Sequence, residues 1–187
     1  MLLIIAPNDF EDIEFLHTKE ELEKAKIQLS IASTKKETAT GMQGTRVTVD
    51  IPLDQVNITD YDAIIFIGGL GACPYYTDEK ALSLANEAFQ NRKLICAICV
   101  APLILSKAGV LKGRHATVYD LKIKDLVQML TEEGAVYTNK QVVVDGNIIC
   151  CTRILTNNCN RNKKTIFPLT IFNSDRTLAC RRNIFCI

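Results

Sequence analysis

Apolar residues fall in short runs along the first 153 positions, and most runs stop at turn residues. Residues 2–6 (Leu-Leu-Ile-Ile-Ala) run into Pro7-Asn8, residues 62–67 stop at Gly68-Gly69, and residues 93–98 stop before the segment led by Pro102. Short continuous apolar runs closed by Gly or Pro predict strands buried on both faces. Residues 27–32 alternate as a half-buried strand does. Residues 46–50, 116–119 and 141–151 add β segments, the last a hairpin about Asp145-Gly146. Helical patterns lie between them. Residues 9–26 are acidic early and basic late, as a helix dipole prefers. Residues 78–91 carry Ala81, Leu84, Ala85 and Ala88 on one face, 102–108 stop at Gly109, and 121–133 stop at Gly134. Buried strands alternating with helices imply a mainly parallel sheet covered on both faces. Right-handed crossovers then make it a doubly wound, three-layer α/β sandwich.

Composition sharpens this picture. The chain has 187 residues, 48% hydrophobic and 23% charged, which suits one globular core and excludes a disordered or low-complexity chain. A net charge of +1 supplies no overall field to recruit nucleic acid or an anionic membrane. That small value is a cancellation. Residues 154–187 hold six basic residues (Arg161, Lys163, Lys164, Arg176, Arg181, Arg182), one acid (Asp175), six asparagines, three cysteines and no glycine. The chain thus divides into a mildly acidic domain, 1–153, and an atypical basic tail, 154–187. No apolar run approaches the roughly 18 residues of a membrane span. Residues 2–6 are too short for an export signal and follow no basic stretch. The eight cysteines are therefore expected as free thiols in a reducing, cytoplasmic setting.

Ligand sites in such sheets lie beyond the carboxyl ends of the strands. Three features fall there: Glu11 after the first strand, Gly68-Gly69 after 62–67, and Cys99 after 93–98. Cys99 sits in Ala97-Ile98-Cys99-Val100-Ala101, the small-x-nucleophile-x-small pattern of a nucleophile elbow. A thiol there meets a helix start, whose free N–H groups favour the thiolate and lower its pKa. The alternative is a buried structural cysteine. Cys96 and Cys99 also form a Cys-x-x-Cys, but along a strand their α-carbons lie roughly 10 Å apart, beyond disulfide reach. No second pair completes a zinc site, so no metal or other cofactor is expected, and Cys96 reads as core. Within Asp9-Phe10-Glu11-Asp12-Ile13-Glu14, Asp12 and Glu14 read as an ordinary acidic first turn and Glu11 as the member facing the site. An acid held beside a thiolate has a raised pKa and can donate to sulfur. Gly68-Gly69 is either a plain turn or a place where backbone N–H groups approach a substrate oxyanion. Cys150 and Cys151 read as core thiols, and Cys73 as a secondary oxidation target near the site. His17 and His115 read as surface residues.

The segments Asn8-Asp-Phe-Glu-Asp-Ile-Glu14, Tyr61-Asp-Ala-Ile-Ile-Phe-Ile-Gly-Gly69, Ala97-Ile-Cys-Val-Ala-Pro102, Ala108-Gly-Val-Leu-Lys-Gly113 and Val142-Val-Val-Asp-Gly-Asn147 resemble, in order and spacing, the ThiJ/PfpI superfamily of class I glutamine amidotransferase-like proteins. The resemblance covers about residues 1–150. It implies a flavodoxin-like sandwich, a homodimer, and a reactive Cys99 hydrogen-bonded to Glu11, with the N–H groups of Gly69 and Val100 lining the site. It implies glyoxalase or deglycase chemistry on small reactive carbonyls in stress protection. Oxidation sensing through cysteine sulfinate or redox-regulated chaperoning is the alternative, and peptidase or amidase action a further one. The partner is then a small carbonyl compound or an oxidant.

Several positions depart from that pattern. Peptidase-like members carry histidine where this chain has Val100, and others place one near Tyr119-Asp120. Without an imidazole to shuttle protons, amide hydrolysis loses a contributor typically worth about 10²–10⁴-fold. Ile67 replaces the usual proline before the glycine pair, and the tail does not read as the family's final amphipathic helix.

Overall fold

The computed structural model describes residues 1–120 and 125–153. The tail, 154–187, and the start of the helix expected over 121–133 lie outside the described residues. Strand β1 (Leu2–Ile4) runs at the centre of the main sheet and is wholly buried. Two departures from the sequence expectation follow at once. Residues Asn8–Phe10 form a short strand, β2, rather than the start of a helix. The helix α1 spans Asp12–Lys24. Asp9 explains the delay, because its φ of 56° turns the chain out of the helical path.

The chain continues through β3 (Ser30–Ser33), β4 (Thr38–Gly41), β5 (Arg46–Thr48) and β6 (Ile51–Pro52). β2, β4 and β5 make a small three-stranded sheet, of which the hydrophobic pattern reveals only β5, within the segment 46–50. Their alternation is short, and only one residue in each of β2 and β5 is buried. β7 (Ala63–Phe66) is followed by a 3₁₀ segment, Leu70–Tyr76, and α2 (Glu79–Gln90). Asp78 caps α2, its carboxylate accepting from the Ala81 N–H at 2.8 Å. Ala81, Leu84, Ala85 and Ala88 are its buried face, as expected. β8 (Leu94–Ile98) and α3 (Pro102–Lys107) come next, then β9 (His115–Ala116), α4 (Leu126–Glu132), β10 (Val136–Tyr137), β11 (Val142–Asp145) and β12 (Ile148–Cys151).

The main sheet has the order β11-β12-β8-β7-β1-β3-β6. All of its pairings are parallel except the edge hairpin β11–β12. Strand order moves one way from β1 through α1 to β3, and the other way from β7 through α2 to β8. Right-handed crossovers therefore place α1 on one face and α2 on the other, where α3 packs against both α2 and α4. This is the doubly wound sandwich expected. β1, β7, β8 and β12 are buried along their whole length, which is why each reads as an unbroken apolar run.

Asp12 is 2% exposed and holds the small sheet to α1. Its carboxylate accepts from the N–H of Gln43 at 2.7 Å and of Thr45 at 2.8 Å. Burial alone would raise its pKa, but the hydrogen bonds from Thr45 and Gln43 prevail and hold it below the usual carboxylate value. Asp12 is thus a structural anchor for the turn after β4, not part of an ordinary solvated first turn. Removing the carboxylate strands two backbone donors. Asp12→Ala is expected to cost about 2 kcal/mol in denaturant unfolding. An unchanged midpoint would show that the turn does not depend on this anchor.

Candidate active site

The carboxyl ends of β7 and β8 bring together Gly68, Gly69, Cys99 and Val100. Cys99 leaves β8 with φ at 61°, an uncommon conformation for a residue with a side chain. Both of its backbone polar groups are held: its N–H donates to the Cys151 carbonyl at 2.9 Å, and its carbonyl accepts from the Tyr119 N–H at 2.8 Å. Val100 and Ala101 are buried, and Pro102 opens α3 at a helix start suited to proline. The N–H groups of Gly69 and Val100 converge on the Cys99 sulfur.

Gly68 is confined from two sides. A β-carbon on it would lie 2.6 Å from the Cys99 Cβ and 2.9 Å from the Glu14 Oε2. Only a hydrogen at this position lets α1 and the elbow approach. Gly69 adopts φ of 101°, where a side chain is strained. Ile67, in place of the expected proline, is buried and donates its N–H to the Ile4 carbonyl at 3.0 Å.

The carboxyl group at the sulfur is that of Glu14, not Glu11. Glu14 is 2% exposed, accepts from the Gly68 N–H at 3.1 Å and hydrogen-bonds the Cys99 side chain. Glu11 is the cap residue of α1. Its own N–H donates to the Gly68 carbonyl at 3.0 Å, while its side chain turns outward, 3.5 Å from the Gln43 amide nitrogen. The reason is helical periodicity. Glu14, Thr18 and Leu22 share the buried stripe of α1 at i, i+4, i+8, whereas Glu11 precedes the helix. That line overturns both the site role expected of Glu11 and the solvated-turn role expected of Glu14.

The electrostatics differ from expectation too. Burial, opposed by the Gly68 N–H, pushes Glu14 up to about 8. Burial first, and then the ionised Glu14, push the Cys99 thiol up, while the Gly69 and Val100 N–H groups pull it down. The lowering expected from the helix start is outweighed. α3 begins three residues later and is only six residues long, so its N-terminal field is weak at the sulfur. The repulsive contribution operates only where Glu14 is ionised, above about pH 8. Burial keeps both groups protonated near neutrality, so the sulfur's charge appears only as it reacts and is met there by the Gly69 and Val100 N–H groups.

Other predicted residues lie where their strands carry them. Cys73 sits in the 3₁₀ segment and donates its thiol to the Tyr76 hydroxyl at 3.8 Å. Tyr76 in turn donates to the Val100 carbonyl at 3.1 Å. Cys96 and Cys150 are buried. His115 is exposed on β9, its ring Nδ1 3.3 Å from Thr138 Oγ1, and His17 lies on α1. Tyr119 stands where some members place histidine. Its ring lies under the Arg153 guanidinium, 5.6 Å from the centroid. A cavity of about 160 Å³ bordered by Pro7, Asn8, Lys35 and Glu37 contains none of the site residues. Among the described residues no cluster of His, Cys, Asp or Glu could hold a metal ion, and no helix is long and apolar enough to cross a membrane.

A doubly wound sandwich with a cysteine at the strand–helix elbow, a glycine pair above it and a buried acid beside it defines a class of cysteine-elbow proteins. The chain belongs to the DJ-1/PfpI family, whose model matches residues 1–157. It is 36% identical over 146 residues to a protein of Pyrococcus furiosus named deglycase PfpI, covering 78% of this chain and 86% of that one. The ThiJ/PfpI domain protein of Brachyspira murdochii is similar in structure, with a TM-score of 0.76 at 25% identity over 80% of this chain and 84% of that one. Drosophila melanogaster DJ-1beta gives a TM-score of 0.70 at 28% identity over 80% of each chain.

The raised Glu14 pKa has a thermodynamic sign. A carboxyl group that binds its proton more tightly when folded contributes stability below its unfolded value of 4.5, and loses it as pH rises towards about 8. Wild type is therefore expected to lose stability relative to Glu14→Gln across that window, by up to about 5 kcal/mol. Chemical unfolding at a series of pH values measures the difference. A constant gap between the two proteins would show that Glu14 is not held protonated.

Proposed function

We propose that the protein acts on small reactive carbonyl compounds or their adducts, as a deglycase or glyoxalase. The observation that carries this reading is the contact between Cys99 and a buried acid that holds its proton at neutral pH. Relatives named deglycase, over 78% of this chain, support it. Glu14 keeps its proton, and the charge that the Cys99 sulfur takes on as it gives up its own proton to solvent is met by two converging backbone N–H groups. The thiolate adds to the carbonyl carbon and forms a thiohemiacetal. The Gly69 and Val100 N–H groups stabilise the developing oxyanion, and Glu14 donates the proton that oxygen takes up. A role in stress protection follows from the toxicity of such carbonyls.

A peptidase reading is disfavoured by the site itself. Val100 follows the nucleophile, and neither histidine hydrogen-bonds Cys99 or Glu14. A relative in Bacillus subtilis, 30% identical over 151 residues, is named a putative cysteine protease, so casein or peptide cleavage is the control assay.

Methylglyoxal consumption tests the proposal. Cys99→Ser is expected to abolish it, and Glu14→Gln to reduce it by about 10²-fold or more. Glu11→Gln is expected to stay near wild type. Equal turnover by wild type and Cys99→Ser would refute the reading. Loss with Glu11→Gln but not Glu14→Gln would reassign the acid.

A further inference from the structure

Beside the elbow lies a second thiol that carbonyl chemistry leaves unused. Cys96, Cys150 and Cys151 are all buried, but only Cys151 is joined to Cys99 through the backbone, its carbonyl accepting the Cys99 N–H at 2.9 Å. Cys151 stands in register with Ile98 across the parallel β8–β12 pair. Neighbouring strands lie about 4.8 Å apart and rise about 3.3 Å per residue, so the Cys99 and Cys151 α-carbons are separated by about 6 Å. Disulfides span roughly 4.4–6.8 Å between α-carbons. The Cys-x-x-Cys partner, Cys96, is separated along its own strand by about 10 Å and fails that test.

Direction matters as much as distance. In an unbroken strand Cys99 would face away from Ile98 and Cys151, because successive residues alternate. The φ of 61° at Cys99 breaks that alternation and brings the sulfur to Glu14, which lies on α1. Cys151 belongs to the same neighbourhood. Burial and the Glu14 carboxylate together push its thiol up to about 12. The field of the Glu14 carboxylate therefore reaches both thiols.

We propose that Cys151 is the resolving cysteine of Cys99, so that a peroxide converts the pair into an intramolecular Cys99–Cys151 disulfide. The Cys99 thiolate attacks a peroxide oxygen, the O–O bond breaks, and Glu14 gives its proton to the departing oxygen, so that a sulfenic acid and water (or an alcohol, from an organic peroxide) result and Glu14 is left as the carboxylate. The Cys151 thiol then gives its proton to Glu14 and attacks the Cys99 sulfur. The S–O bond breaks, and the departing hydroxide recovers the proton as water. Two thiols lose two electrons to one peroxide. The bond caps the nucleophile reversibly and halts its oxidation before the irreversible sulfinic stage. This inference rests on Cys99 being a reactive thiol, as the proposed function does.

The test is peptide mapping of the full chain. Reduced protein is treated with mild hydrogen peroxide, its free thiols are alkylated, and it is digested without reductant. The expected product is a linked pair of peptides containing Cys99 and Cys151, short of two hydrogens and separated by a dithiol. Two oxygens on Cys99 with Cys151 alkylated would overturn the proposal. So would linkage of Cys99 to Cys73, Cys96 or a cysteine of the tail, or a Cys99 that peroxide leaves unmodified. In Cys151→Ala the link is expected to be lost and Cys99 to accumulate the sulfinic acid instead. Mapping of the wild type needs no variant, so a poorly folding substitution does not blunt the result. Methylglyoxal turnover by the reduced wild type, assayed separately, bears on the proposed function alone. A chain that forms the link without turnover keeps this inference and loses that reading.

Discussion

Everything at the site depends on how β8 ends. At Cys99 the chain turns into a left-handed conformation that costs a residue with a side chain about 1–2 kcal/mol. Two hydrogen bonds oppose that cost, to the Cys151 carbonyl and from the Tyr119 N–H. Both anchors come from segments far along the chain, so the turn persists only while β12 and the segment after β9 are docked. A strained residue held by its surroundings points its side chain where an ordinary strand could not. Here the consequence is contact between the sulfur, a buried carboxyl group and two converging N–H groups.

That contact sets the chemistry. Glu14 is kept out of water by α1 on one side and the Gly68 backbone on the other, with a single N–H donor to support its charged form. Cys99 has two. At neither group do the donors offset burial, so Glu14 keeps its proton at neutral pH and the Cys99 thiolate forms only against that penalty. The glycine pair matters here for its bareness. A side chain at position 68 would separate the acid from the thiol, and the reversal at position 69 turns its N–H towards the sulfur. The two acids beside Glu14 perform other tasks. Asp12 ties down the turn of the small sheet, and Glu11 precedes the helix and ties its start to the Gly68 carbonyl through its own N–H.

The cysteines divide in the same way. Cys96 and Cys99 are near neighbours in sequence and distant in space, because a strand spreads three residues over about 10 Å. Cys99 and Cys151 are 52 positions apart and share a backbone hydrogen bond. Parallel strands bring together residues that no short motif connects. Redox pairing in such a sheet is therefore read from register.

The residue order alone was enough for the sandwich, the buried strands, the apolar face of α2 and the elbow at Cys99, because each rests on local periodicity or on small residues at fixed offsets. Even Glu14 was within reach, on the i, i+4, i+8 line with Thr18 and Leu22. Three neighbouring acids look alike until their helical phase is known, and Asp9's turn sets that phase by delaying α1 to residue 12. Of the β2-β4-β5 sheet only β5 was legible, within the segment 46–50, because β2 and β4 are short and carry no extended apolar alternation. Only the folded chain could decide which acid meets the thiol, in which direction their pKa values move, and which second cysteine stands within reach. Each of those depends on distances across the sheet and on exclusion of water, and neither is a property of neighbouring residues along the chain.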